Sequence, residues 1–208
     1  MNPNRIFYFI VRNTARILLR LYNRCSVRWE EPLSNERMIV ACNHASNLDP
    51  LAIGAFFPRR LRYFAKEELF RSWFLGTCVR ALGAVPVSRS DNASAAGALK
   101  GFMKLYREGS DVLIFPEGGR SPDGKLQPLE GGVALIAAHE KAPILPVFIH
   151  GTYEAMPTGS SLIKPHKITV TFAKPLRFSE EVYSGKGGRD IIMQRLTDVM
   201  KELESQAS

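Results

Sequence analysis

Across residues 4 to 24 the apolar positions Ile6, Phe7, Ile10, Val11, Ile17, Leu18, Leu21 and Tyr22 recur at three- and four-residue intervals, which gathers them on one face of a helix. Arg12, Arg16, Arg20 and Arg24 step by four along the other side. Beyond this segment the pattern changes. Short apolar runs at 38–42, 61–65, 84–87, 112–115, 144–149 and 168–172 read as buried strands. Stretches with helical spacing separate them, at roughly 51–57, 67–82, 93–108, 131–141 and 190–204. Strands alternating with helices predict an α/β fold: a single domain with a mixed or largely parallel sheet flanked by helices, preceded by an N-terminal amphipathic helix. Residues 1–28 are assigned to that helix and 29–208 to the domain. Two Gly- and Pro-rich stretches, 116–132 and 151–165, are long loops at strand ends, and the first begins at a strand's carboxyl end, where an open α/β sheet binds its ligands.

Composition narrows the partner. The 208 residues are 45% hydrophobic, which suits one globular domain and excludes a fibrous or wholly disordered chain. A formal net charge of +8 invites a polyanion: nucleic acid, an anionic membrane or a phosphorylated substrate. The excess is all at the front, because residues 1–90 hold 14 Lys and Arg against 6 Asp and Glu, whereas residues 91–208 hold 14 of each. Arg59, Arg60, Arg62 and Lys66 form a second basic cluster, so the amino-terminal half is expected to face anionic lipid and phosphate. No helix-turn-helix, zinc-finger or ribonucleoprotein motif supports nucleic acid.

No run of about 18 apolar residues exists, since the arginines interrupt the only long apolar region. The first segment reads either as a helix in the headgroup region, with guanidinium groups on lipid phosphates, or as a helix packed on its own domain with solvated arginines. The absence of Asp or Glu before Glu30 favours lipid. An Arg-rich organellar transit peptide fits less well because Ser is scarce, and a signal peptide lacks its unbroken apolar core. Cys25, Cys42 and Cys78 form no CxxC pair and no His/Cys cluster has zinc spacing, which points to a reducing, cytosol-facing location.

Four blocks carry candidate chemistry. Residues 43–49 read Asn-His-Ala-Ser-Asn-Leu-Asp and follow a strand directly. A histidine with a carboxylate is what general-base catalysis needs, because the carboxylate fixes the tautomer and stabilises the imidazolium. Five residues along a straight helix leave His44 and Asp49 about 140° apart, so they meet only if the chain turns between them. The alternative is Asp49 as a helix N-cap beside an unrelated loop histidine. Residues 115–121 read Phe-Pro-Glu-Gly-Gly-Arg-Ser, whose glycines allow backbone N–H groups near an anion and whose Arg120 can grip phosphate. Residues 83–89 end in Arg89, and residues 143–147 form a proline-flanked apolar strand. Cys42 and His44, two apart on an extended strand, are a rival thiol–imidazole dyad.

In this order and at these separations the blocks resemble the glycerolipid acyltransferases of the lysophosphatidic acid acyltransferase type, over about residues 38 to 150. That family carries N-H-x4-D, G-x-(I/V)-x3-R, F-P-E-G-x-R-S and V/I-x-P stretches. The chain departs from it at Glu130, where members usually have a basic residue nearby, and at Pro86, often a bulky apolar residue. The resemblance implies transfer of a fatty acyl group from an acyl-CoA or acyl-carrier-protein thioester to a hydroxyl of 1-acylglycerol 3-phosphate or a similar lysolipid, with glycerol 3-phosphate or another lysolipid as the alternative acceptor, and with no metal and no further cofactor. His44 would be the base and Asp49 its orienting partner. Lys66, Arg89 and Arg120 would take the acceptor phosphate, and Glu117 with Gly118 would shape the glycerol end. Phe56, Phe57, Trp73 and Phe74 are candidates for an acyl tunnel. The expected setting is the cytoplasmic face of an anionic membrane, as a peripheral or monotopic protein, with no nucleic-acid partner. A noncatalytic membrane lipid-binding module is the alternative from another class.

Overall fold

The computed structural model describes residues 3–71, 73–87, 95–160 and 162–207. Its strands are β1 (Ser26–Trp29), β2 (Ile39–Cys42), β3 (Leu61–Lys66), β4 (Ala84–Val87), β5 (Asp111–Ile114), β6 (Ile144–His150) and β7 (Thr169–Phe172). Its α-helices are α1 (Pro3–Tyr22), α2 (Asp49–Phe56), α3 (Trp73–Ala81), α4 (Ala95–Arg107), α5 (Gly132–Glu140), α6 (Thr152–Ala155), α7 (Glu180–Ser184) and α8 (Gly188–Ala207). The strands form one mixed sheet in the order β1-β7-β6-β2-β5-β3-β4. All pairs are parallel except β6 with β7.

The sequence reading misses β1, a four-residue edge strand whose Ser-Val-Arg-Trp pattern carries only two apolar side chains. The helix expected over 67–82 is two pieces. Glu67–Phe70 is a 3-10 turn, closed by Arg71 N–H on the Glu68 carbonyl, and α3 starts afresh at Trp73.

The central strand β2 is buried at every position, so both of its faces are apolar. Val40 and Cys42 pack with α2 on one side, while Ile39 and Ala41 pack with α5 and α8 on the other. β2 leads into α2 and its neighbour β5 leads into α5, on opposite faces of the sheet. Adjacent strands whose chains leave to opposite sides open a crevice at their carboxyl ends. The loops after β2 and β5 line that crevice.

α2 is apolar nearly all round because it is covered twice, by the sheet beneath and by α1 above. This overturns the expected orientation of α1. Arg12 and Arg16 turn inward, while Arg20 and Arg24 stay exposed: Arg12 Nε and Arg16 Nε and Nη2 donate to the Ala55 carbonyl at the end of α2, at 3.2, 3.1 and 2.9 Å. Arg16 and Arg20 lie over the Phe56 ring. Ala15 and Leu19 are buried with them. The apolar stripe of Ile6, Phe7, Ile10, Ile17, Leu18 and Leu21 faces outward, with Leu18 60% and Leu21 77% exposed. The unsatisfied carbonyls of a helix C-terminus attract cations, which is why the basic stripe is the one that docks.

The second basic cluster also does structural work. Arg59 Nε and Nη2 form a bidentate pair with the Asp111 carboxylate at 2.7 and 2.9 Å, and the same guanidinium donates to the Ser34 and Glu36 carbonyls. Asp111 Oδ1 also accepts Met38 N–H. Arg60 donates to the Arg80 carbonyl, and Arg62 Nε is buried. Arg59 lies past the far end of α2, away from the crevice. Asp111→Asn leaves Arg59 without its counter-charge and should lower the unfolding free energy by about 3 kcal/mol in a denaturant titration.

Candidate active site

Asn43 prolongs the β2–β6 ladder with its side chain, Nδ2 donating to the Ile149 carbonyl at 2.9 Å and Oδ1 accepting Ile149 N–H at 2.8 Å. That fixes the strand end from which His44 leaves. The chain then turns, with Asp49 N–H on the Ser46 carbonyl and Leu48 N–H on Ser46 Oγ, and brings Asp49 back beneath the imidazole. Ser46 Oγ donates in turn to the Met156 carbonyl at 2.7 Å, fastening the turn to the segment after α6.

His44 Nδ1 lies 2.8 Å from Asp49 Oδ2. The same oxygen accepts the N–H groups of Ala45 and Ser46, both at 2.7 Å. Asp49 is wholly buried, and the His44 side chain is 16% exposed. Asp49 is therefore not the N-cap of α2; Leu48 occupies that position, and the carboxylate points back into the turn. A carboxylate only accepts, so Nδ1 carries the hydrogen and Nε2 keeps its lone pair. Nε2 makes no hydrogen bond with a described residue. The Phe115 ring stacks on the imidazole at 4.0 Å between centroids, with 20° between planes.

The loop after β5 holds His44 by its main chain. Glu117 Oε1 accepts His44 N–H at 2.7 Å, and Ser121 N–H donates to the His44 carbonyl at 2.7 Å. Glu117 Oε2 accepts Gln127 N–H at 3.1 Å, so one carboxylate ties the two loops together. Burial pushes the Glu117 carboxyl up to about 7, helped by the nearby Asp49 and Glu204 carboxylates and opposed by its two N–H donors. Gly118 adopts a left-handed conformation with φ of 69°, and a Cβ there would stand 2.6 Å from Glu130 Oε1. Glu130 thus packs against the glycine turn, and its N–H donates to the Pro116 carbonyl. The N–H groups of Gly119 and Arg120, and the half-buried Arg120 side chain, bond to no described residue.

His44, Asp49 and Glu117 are therefore joined by hydrogen bonds at one place, and Gly118 and Arg120 lie on the same loop as Glu117. Lys66 is exposed at the end of β3, two strands from β2 along the same edge, or about 10 Å across the sheet. Arg89 lies outside the described residues. Cys42 is fully buried against α2, with its thiol 3.6 Å from Asn43 Oδ1 and its pKa pushed well up by burial, conditions that disfavour a thiolate. Of the tunnel candidates, Phe56 and Phe57 are core residues, Phe57 packing near Trp29 and Phe172; Trp73 is 86% exposed, and the Phe74 side chain is outside the description. A cavity of about 550 Å³ exists elsewhere, at the β1–β7 edge against α8, bordered by Arg28, Trp29, Lys174 and Arg195. Among the described residues no group of three or more His, Cys, Asp or Glu converges as a metal site would.

Sequence reasoning gave no separate role to Asn43, Ser46, Phe115 or Gln127. Asn43 and Phe115 sit inside the quoted blocks, directly after strands, which was the available signal. Gln127 and Met156 carried none, because they reach the site through backbone atoms.

The chain matches the Acyltransferase family model over residues 24–150. It is 32% identical over 178 residues to the chloroplastic 1-acyl-sn-glycerol-3-phosphate acyltransferase BAT2 of Brassica napus, covering 83% of this chain and 51% of that protein. With the 1-acyl-sn-glycerol-3-phosphate acyltransferase of Bacillus subtilis it shares 29% identity over 201 residues, covering 95% of this chain and 97% of that one. The crystal structure of the 1-acyl-sn-glycerophosphate acyltransferase PlsC from Thermotoga maritima superposes with a TM-score of 0.78 at 25% identity, covering 96% of this chain and 78% of that one. The chain spans about half the length of the plant relatives it matches, BAT2 and LPAT1 of Arabidopsis thaliana. On the extent of these matches, the chain belongs to the Acyltransferase family.

Proposed function

We propose that this chain moves a fatty acyl group from an acyl-CoA or acyl-carrier-protein thioester to the free hydroxyl of 1-acylglycerol 3-phosphate or a similar lysolipid, as a step of phospholipid biosynthesis. The observation that carries this reading is His44 Nδ1 bonded to buried Asp49, with the loop that carries Arg120 bonded to the His44 main chain through Glu117 and Ser121. A thioester is already activated, so the protein need supply only a base, anion-stabilising donors and alignment.

His44 Nε2 takes the proton of the acceptor hydroxyl as its oxygen attacks the thioester carbonyl carbon. The carbonyl electron pair moves onto oxygen, and the tetrahedral species collapses by expelling the thiolate, to which His44 returns the proton. Asp49 stabilises the imidazolium between these steps. The open N–H groups of Gly119 and Arg120 are the donors for developing negative charge, and Arg120, Lys66 and Arg89 are the cations for the acceptor phosphate. Glu117 acts as a clamp on His44, a reassignment from the glycerol-binding role that the resemblance implies. The outward apolar stripe of α1 supports a peripheral or monotopic setting on a membrane, for which we propose an anionic surface and the cytoplasmic face.

Purified protein supplied with anionic vesicles, a labelled acyl-CoA or acyl-carrier protein, and a panel of lysolipids and glycerol 3-phosphate should yield labelled product with at least one acceptor. No product from folded protein would sink the proposal. His44→Ala should keep the fold and lose about 10² to 10⁴-fold in turnover.

Glu117 supplies a pH signature. Its folded carboxyl binds a proton more tightly than the usual carboxyl near 4.5, so its contribution to stability is complete below about pH 4.5 and is lost as pH rises through about 7. Glu117→Gln should therefore unfold with less loss of midpoint than the parent between pH 5 and 8. The same variant cannot accept both N–H groups, so kcat should fall roughly ten- to a hundredfold from misplacement of His44, with the acceptor KM little changed. A raised KM at unchanged kcat would assign Glu117 to the substrate instead.

A further inference from the structure

The mechanism makes no use of the long connection between β6 and β7. Beyond the turn at 158–159, its described residues after α6 have no regular structure, and among them Leu162 is 75% and Ile163 42% exposed. Its backbone is nonetheless pinned. Tyr22 Oη donates to the Ile163 carbonyl at 3.1 Å, and Asn23 Nδ2 donates to the carbonyls of Lys164 and His166 at 3.0 and 3.2 Å. Lys164 N–H returns to the Ala155 carbonyl at 2.7 Å, and Gly151, at φ of 86°, lets the Lys167 carbonyl approach where a Cβ would stand only 2.0 Å away. Two large apolar side chains are thus held in water by an ordered support, which makes them a surface for something apolar.

Two observations identify the occupant. The Tyr22–Ile163 bond makes this stretch continuous with the exposed stripe of α1 that ends in Leu21 and Tyr22. Around it stand Arg24, Lys164 and Lys167, all exposed and none in an ion pair with a described residue. An apolar tip ringed by unpaired cations matches the interface of an anionic bilayer, with hydrocarbon below and phosphate at the rim. The segment's other end touches both catalytic loops: the Met156 carbonyl accepts Ser46 Oγ, and Tyr153 Oη donates to the Pro122 carbonyl.

We propose that residues 162–167 are a second contact with an anionic bilayer, Leu162 and Ile163 entering the acyl-chain boundary and Arg24, Lys164 and Lys167 resting on lipid phosphates. The contact sets the crevice edge beside the membrane, so that a lipid acceptor reaches His44 along this segment without crossing water. The inference rests on the reading of α1 as the membrane-facing helix, and the test separates the two.

Sedimentation with equimolar phosphatidylglycerol–phosphatidylcholine vesicles is compared for the full chain, for Leu162→Asp with Ile163→Asp, and for Ile17→Asp with Leu21→Asp. Turnover is read on a lysolipid carried in the vesicles and on a short-chain lysolipid dispersed as monomers. The loop variant should unfold at the parental midpoint and lose at least tenfold in partition. Its turnover on the vesicle-borne acceptor should fall in proportion, while turnover on the monomeric acceptor stays within about twofold; a tenfold loss corresponds to about 1.4 kcal/mol. Unchanged partition of the loop variant, with loss in the α1 variant, overturns the second contact and leaves the membrane reading standing. Unchanged partition in both overturns both. Equal loss of turnover on the monomeric acceptor overturns the inference by making the segment a prop for His44.

Discussion

Asp49 Oδ2 accepts three hydrogen bonds, from the imidazole it orients and from the main chain of the turn that brings it there. The arrangement is self-consistent in a physical sense. A carboxylate removed from water is costly unless donors surround it, and the donors available are the N–H groups that a sharp turn after a strand leaves unpaired. Turn, charge and imidazole therefore form as one unit. The Oδ1 atom of Asp49 is buried with no hydrogen-bond partner among the described residues, so within them the pair is held by one oxygen rather than shared across two.

The rest of the crevice is arranged around that unit from the main chain outward. Asn43 fixes where β2 ends, Ser121 and Glu117 fix the carbonyl and N–H of His44, and Phe115 supports the ring. These contacts come from the loops after two adjacent strands whose helices lie on opposite faces of the sheet, which is why two distant stretches of sequence meet there. Beyond the crevice, the double covering of α2 by sheet and α1 turns Arg12 and Arg16 of α1 inward and its apolar stripe outward.

Much of this was legible from residue patterns. Buried parallel strands are continuous apolar runs, and β2, β5 and β6 were found that way to within a residue or two. The meeting of His44 with Asp49 was legible only as a requirement for a turn, which Ser46 and Leu48 satisfy. Orientation was not legible. The spacing of α1 distinguishes two faces but not which one docks, because that depends on the Ala55 carbonyl at the end of another helix, whose need for donors has no signature in a local window. Arg59 misled for the same reason, its partner Asp111 being remote in the chain. The hydrogen bond from His44 N–H to Glu117 was not legible, since nothing in the sequence marks a bond to a backbone N–H across two loops.

The central claim is that Asp49 acts by holding His44 in the tautomer that leaves Nε2 free. The direct measurement is steady-state acyl transfer by Asp49→Asn beside the parent protein, with folding checked by thermal unfolding. An amide in that position can still receive a hydrogen bond, but it neither stabilises an imidazolium nor enforces the tautomer. The account predicts a fall in kcat of about 10²-fold or more with the acceptor KM little changed. Parental kcat in a folded Asp49→Asn protein would contradict it.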